Sequence, residues 1–128
     1  MGSVDGHGRP HLALVWVVAH ANGLYFVSDR TASKARNLAG KPDLAVHWLV
    51  GGGDGEGEQL FVRGEARFEE DAERREALWD SALWDDLSRW YAGPQAPELA
   101  FIEVVARTAS LTPDWGAGTS RRWHAPRR

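Results

Sequence analysis

Eight consecutive residues, Leu12 to Ala19, are apolar, and this run constrains the fold more than any other stretch of the chain. Side chains alternate across a strand. Leu12, Leu14, Trp16 and Val18 therefore share one face, and Ala13, Val15, Val17 and Ala19 share the other. Both faces are apolar, so both need cover. In a small β domain one face can fill a barrel interior; the other then needs a helix, a ligand or a second subunit. The strand is expected over His11–Ala19. Asn22-Gly23 supplies a turn that tolerates positive φ, and Leu24–Ser28 returns as the partner strand.

That second strand runs directly into Asp29-Arg30-Thr31-Ala32-Ser33-Lys34-Ala35-Arg36. Thr31 or Ser33 is placed to cap a short helix that reaches Leu38 and is stopped by Gly40 and Pro42. Free backbone amides at a helix start, a Ser hydroxyl and a Lys together make a seat for phosphate. Beside an apolar sheet, such a seat suits a flat, aromatic, singly phosphorylated ligand. Taken alone, Ser33-Lys34 reads first as a helix cap followed by a solvated lysine.

Further strands are expected at Leu44–Val50 and Gln59–Glu70, around a glycine-rich tip at Gly51–Gly57. That tip precedes a strand and carries two acids, which argues against a phosphate-binding loop. Gly64 within the alternating strand predicts a bend or bulge. Asp71 to Ser81 reads as an amphipathic helix that buries Ala77, Leu78 and Trp79, with Glu69, Glu70 and Asp71 as its N-terminal charge cluster. Trp79, Trp84 and Trp90 are expected to pack this excursion onto the barrel. Leu99–Ala106 is a long strand, extended past a bulge by Thr108–Leu111. Residues 1–9 are expected to be a flexible leader, 10–115 the domain, and 116–128 a tail carrying Arg121, Arg122, Arg127 and Arg128.

The totals exclude several classes. The chain has 128 residues, no Cys and a net charge of −3, which leaves out disulfides, thiolate chemistry and a general attraction to nucleic acid. The five His have no metal-ligand spacing, so no metal is expected, and His47 reads as a hydrogen-bonded structural residue. No membrane span or secretory signal is expected, which fits a cytoplasmic protein.

Read in order, RPHLALVWVV, NGLYFVSDRTASKARNL, KPDLAVHW and LFVRGEARFEED resemble the pyridoxamine 5′-phosphate oxidase-related flavoproteins. ALWDSALWDDLSRWYAGPQAPELAFIEV is similar to their general stress protein branch. The resemblance implies a mainly β fold with short helices, a six-stranded antiparallel split β-barrel. It also implies a homodimer with FMN bound at the subunit interface. Leu14, Val15, Trp16 and Val17 would line the isoalloxazine through their backbone, and Val27, Ser28, Ser33 and Lys34 would hold the phosphate. The chemistry implied is hydride transfer at the flavin N5 with an unknown small substrate, with no catalytic side chain identified. The family's oxidase carries Arg-Lys where this chain has Ser33-Lys34, so Arg30 or Arg36 is a candidate replacement cation. The oxidase's Arg- and His-containing substrate segment has no evident match in Gly116–Arg128. A deazaflavin (F420) reductase and a non-catalytic flavin- or haem-binding module are the alternatives.

Overall fold

The computed structural model describes residues 1–51, 57–81, 84, 86–113 and 119–127. Its strands are β1 (Gly2–Val4), β2 (Pro10–Leu12), β3 (Val18–His20), β4 (Gly23–Asp29), β5 (Asp43–Val50), β6 (Glu58–Phe68), β7 (Leu99–Thr112) and β8 (Arg121–His124). Two helices, α1 (Ser33–Gly40) and α2 (Ala72–Trp79), and a short 3₁₀ turn at Leu87–Arg89 complete it. All pairings are antiparallel, in the order β2-β1-β5-β6-β7-β4-β3, with β8 on β7. The expected class holds, with eight strands among the described residues rather than six.

Two of the strands not read from the sequence arise at the chain ends. Gly2–Val4, within the expected leader, pairs with both β2 and β5. Arg121–His124, within the expected tail, pairs with β7. Both segments are short and polar, so they carry no apolar periodicity; pairing with a neighbouring strand orders them. The long first strand also divides. Only Pro10–Leu12 and Val18–His20 are strands of the sheet; Ala13 still exchanges hydrogen bonds of 2.8 and 2.9 Å with Met1, and residues 14–17 cross between the two ends without pairing. The hairpin turn falls one residue earlier than expected. His20 pairs with Gly23, leaving Ala21 (φ 45°) and Asn22 (φ 66°) as the two central residues, as a turn with two positive φ angles requires.

Gly64 behaves as expected. A Cβ there would lie 2.2 Å from the Val105 carbonyl oxygen. Beside it the register slips, because Arg63 pairs with Thr108 and Gly64 with Ala106. Arg107 is the extra residue of this bulge, and its carbonyl accepts a hydrogen bond from Ala125 N at 2.8 Å.

Two apolar clusters lie on opposite faces of β4 and β7. One gathers Phe26, Leu38, Leu44, Val46, Val62 and Ile102, with Ala35 of α1. The other gathers Val18, Tyr25, Leu78, Leu87, Leu99 and Phe101, with Trp79 and Trp84 against it. Trp84 Nε1 donates to the Leu78 carbonyl at 2.9 Å, so Trp79 and Trp84 pack as expected; Trp90 stays exposed. In α2 the buried residues are Arg75 and Leu78, and Ala77 faces outward.

Asp71 caps α2, accepting from Arg74 N at 3.0 Å. Asp71→Ala is expected to lower stability by about 1 kcal/mol in urea unfolding, the usual worth of such a cap. No helix of the described residues is long and apolar enough to cross a membrane.

Candidate functional site

The demand for cover on both faces of the first apolar run is met on one side only. Val15 and Val17 pack against the cluster of Phe26, Ala35 and Leu38. Their neighbours stand out in solvent, with Leu12 83%, Leu14 96% and Trp16 65% exposed. Because residues 14–17 leave the sheet, Leu14, Val15, Trp16 and Val17 have no backbone–backbone hydrogen bond among the described residues. Their N–H and C=O groups are available to something else. His11, just before them, holds the one buried side-chain polar atom without a partner among the described residues, Nδ1. A buried polar atom left unmet marks a place the chain's own atoms do not complete.

At the end of β4, Ser28 is buried and its hydroxyl donates to the Asp29 carbonyl at 3.0 Å. The Asp29 carboxylate accepts from Thr31 N at 2.7 Å and from Thr31 Oγ1 at 2.6 Å. These bonds, the hydroxyl first, hold the Asp29 carboxyl below its ordinary range. Thr31 is thereby turned away from α1. Neither expected cap forms: the N-cap is Ala32, and no side chain caps the helix. Ser33 is exposed, with only the Arg36 Nη2 nearby at 3.5 Å. Lys34 is half-buried and makes no ion pair among the described residues.

Of the two replacement cations, Arg30 is occupied. Its guanidinium donates to both Glu70 carboxylate oxygens at 3.0 and 3.1 Å and lies over the Phe68 ring at 5.7 Å. Arg36 remains, on the exposed side of α1's first turn. Strand alternation also separates Val27 from Ser28. The Val27 side chain joins the Tyr25–Phe101 cluster, so only its main chain could share a ligand with Ser28. His47 Nε2 sits 3.1 Å from Gln59 Oε1, the hydrogen-bonded role expected of it.

Among the clefts that open on the surface of the described residues are four of about 330–480 Å³, and none of these four is lined by Leu14–Val17, Ser33 or Lys34. One, of about 360 Å³, is formed by Phe61, Arg63, Thr108, Ala109, Ser110, Arg122, Trp123 and His124. It contains two arginines, a histidine and two hydroxyls, and no carboxylate. The pairings Thr108 with His124 and Ser110 with Arg122 put these groups on one face. Reading residues 116–128 as a tail missed this cleft. The available signal was the i, i+2 spacing of Arg122 and His124, which sets both on one side of a strand.

A family model described as pyridoxamine 5′-phosphate oxidase matches residues 1–112. The chain belongs to the pyridoxamine 5′-phosphate oxidase family. Members and fold relatives of this family surround it among solved structures. The General Stress Protein 26 of Bacillus anthracis is 24% identical, with 95% of this chain and 85% of that one covered, at a TM-score of 0.68. A pyridoxamine 5′-phosphate oxidase-related, FMN-binding protein of Nostoc punctiforme is 17% identical over 98% and 79% of the two chains, at 0.74. A haem-binding protein of Mycobacterium smegmatis is 13% identical over 96% of this chain and 50% of that one, at 0.78. At these identities the likeness establishes the fold, the split β-barrel. No curated protein matches the sequence.

Proposed function

We propose that the protein binds FMN in a seam between two copies of the chain and is a flavin-dependent oxidoreductase acting on a small substrate. The observation that carries this reading is the uncapped start of α1, with Lys34 unpaired among the described residues and Ser33 beside it. A phosphate there would receive first-turn amides, the Ser33 hydroxyl and the Lys34 ammonium, with Ser28 behind them. The free main-chain groups of Leu14, Val15, Trp16 and Val17 suit the polar edge of an isoalloxazine. The residues therefore fit the cofactor that the Nostoc relative is described as binding.

When bound, the flavin supplies hydride acceptance and donation at N5. The chain's part is to orient the ring, anchor the phosphate and keep water off one face. The bare side chains of Leu12, Leu14 and Trp16 form an apolar stripe that a second copy would cover. That would wall the seam on the side a single chain leaves open. The cleft of Arg63, Arg122 and His124 offers a place for an anionic substrate or for the acidic tail of a deazaflavin. A cytoplasmic setting fits the absence of Cys.

Purified protein is expected to be yellow, with flavin absorbance that travels with a species of twice the 14.2 kDa chain mass. Mass analysis of the extracted chromophore should return FMN. A Soret band, or a chromophore with the mass of F420, would replace this reading with one of the alternatives.

A further inference from the structure

Six residues stand in one row across the outer face of the sheet. Leu12 pairs with Gly2, Gly2 with Ala45, Ala45 with Arg63, Arg63 with Thr108, and Thr108 with His124. Adjacent strands are spaced about 4.8 Å, so Leu12 and Arg63 are roughly 14 Å apart along this row. Gly2 and Ala45 between them have almost no side chain, and the row sinks into a trough there. This is the largest of the four clefts, about 480 Å³, within the usual size range of small-molecule sites.

Its apolar walls are Val4, Pro10 and Leu12, with His11 beside them, and among the described residues no Phe, Tyr or Trp lines it. Such walls suit an aliphatic chain rather than a stacked ring. The charges are ordered by the rungs of the sheet. Arg107 donates to Glu65 at 2.8 Å, so that pair is neutralised. Asp43 stands opposite Glu65, one rung beyond Ala45 and Arg63. Arg63 has no ion pair among the described residues; its guanidinium rests only over the Phe61 ring at 5.4 Å. Arg63 and Thr108 also line the neighbouring basic cleft, so the positive end of the trough is continuous with it.

The geometry points to a binding site for an aliphatic monocarboxylate, its chain lying over Gly2 and Ala45 toward Leu12 and its carboxylate between Arg63 and Thr108. The guanidinium donates to the carboxylate and Thr108 adds a hydroxyl donor. Beside Leu12 the lining offers Ser3 and His11 but no Arg or Lys, so a second carboxylate would meet no fixed cation there. The site therefore selects one charge. It shares Leu12 with the proposed seam and Arg63 and Thr108 with the basic cleft, but none of the proposed flavin contacts lines it, so the two readings can fail separately.

The test uses the full chain, isotope-labelled for NMR, titrated with sodium octanoate, 1-octanol and disodium octanedioate. Octanoate is expected to shift the amides of Ala45, Gly64 and Thr108, with octanedioate at least tenfold weaker. Arg63→Gln should weaken octanoate at least tenfold and leave octanol unchanged. Ala45→Phe should abolish octanoate binding while FMN binding is unaltered, so failure of one site is distinguishable from failure of the other. Should Ala45→Phe fold poorly, Arg63→Gln, at an exposed position, decides alone. Octanoate that leaves these amides unmoved, or binds Arg63→Gln as tightly as the parent, overturns the assignment.

Discussion

Arg75→Ala is expected to lower unfolding stability by about 3 kcal/mol or more, the largest loss from any single side-chain truncation outside the apolar clusters. Arg75 is 4% exposed and makes no ion pair among the described residues. Its guanidinium instead donates to main-chain carbonyls: Nε to Pro94 at 2.9 Å, Nη1 to Glu69 at 3.1 Å, and Nη2 to Ala96 at 3.3 Å and Leu99 at 3.0 Å. It also lies 5.5 Å over the Phe101 ring. One planar fork thus ties the end of β6, the 94–96 turn and the start of β7 to α2. Burial, then the charge of Arg30, pulls its proton affinity down, but four hydrogen bonds from the rigid fork to carbonyls keep the cation in place. The Ala96 carbonyl would keep Leu99 N, but truncation would take the Arg75 donor from the Pro94, Glu69 and Leu99 carbonyls, and a buried carbonyl left without a donor costs about 1–3 kcal/mol. Arg75→Lys should recover less than half of the loss, since one ammonium cannot reach carbonyls spread around a fork. Urea unfolding monitored by Trp fluorescence checks both variants. A midpoint for Arg75→Ala near the parent's would mean that the carbonyls find water instead.

Arg75 also illustrates what was legible in the chain and what was not. Elements with a strong period were readable. β5 was expected at Leu44–Val50 and is Asp43–Val50, and β7 runs through the bulge expected after Ala106. The α2 helix was readable, but its buried face was assigned to Ala77, Leu78 and Trp79. An arginine that satisfies carbonyls from distant segments has no sequence signature, because its partners are main-chain atoms brought together only by the fold. The break of the first strand was hidden for a related reason. Leu12 to Ala19 has apolar residues on both faces, and periodicity cannot say that residues 14–17 leave the ladder. It is the same ambiguity that leaves Leu14 and Trp16 bare in a single chain. The candidate phosphate residues were found from local chemistry, Ser and Lys at a helix start, which needs no knowledge of the fold. The basic cleft was not, because Phe61, Arg63, Ser110 and Arg122 lie on three different strands.

Lys34→Ala should weaken FMN binding about 30-fold and change riboflavin binding by less than about twofold, because the two ligands differ only in the phosphate group that Lys34 would meet. A charge-assisted contact of this kind is worth about 2 kcal/mol where the partner is partly shielded from water. Lys34 is half-buried, so its charge is less screened than that of a fully exposed lysine. Its loss should not unfold the protein, since it bonds no other described side chain; an unchanged melting midpoint confirms that the variant reports on the site. Lys34→Arg should restore most of the affinity, because the cation is kept. Ser33→Ala should cost severalfold more on top of Lys34→Ala, as the hydroxyl and the ammonium would contact the same phosphate through different oxygens. The uncapped amides of α1 remain in every variant, so FMN should still bind more tightly than riboflavin after both substitutions. Raising the salt concentration should narrow the gap between the ligands in the parent protein and do so less in Lys34→Ala. Equal losses for FMN and riboflavin on Lys34→Ala would move the phosphate elsewhere. Arg36, the remaining cation on this turn, and the Arg63–Arg122 cleft would then be the next positions to test.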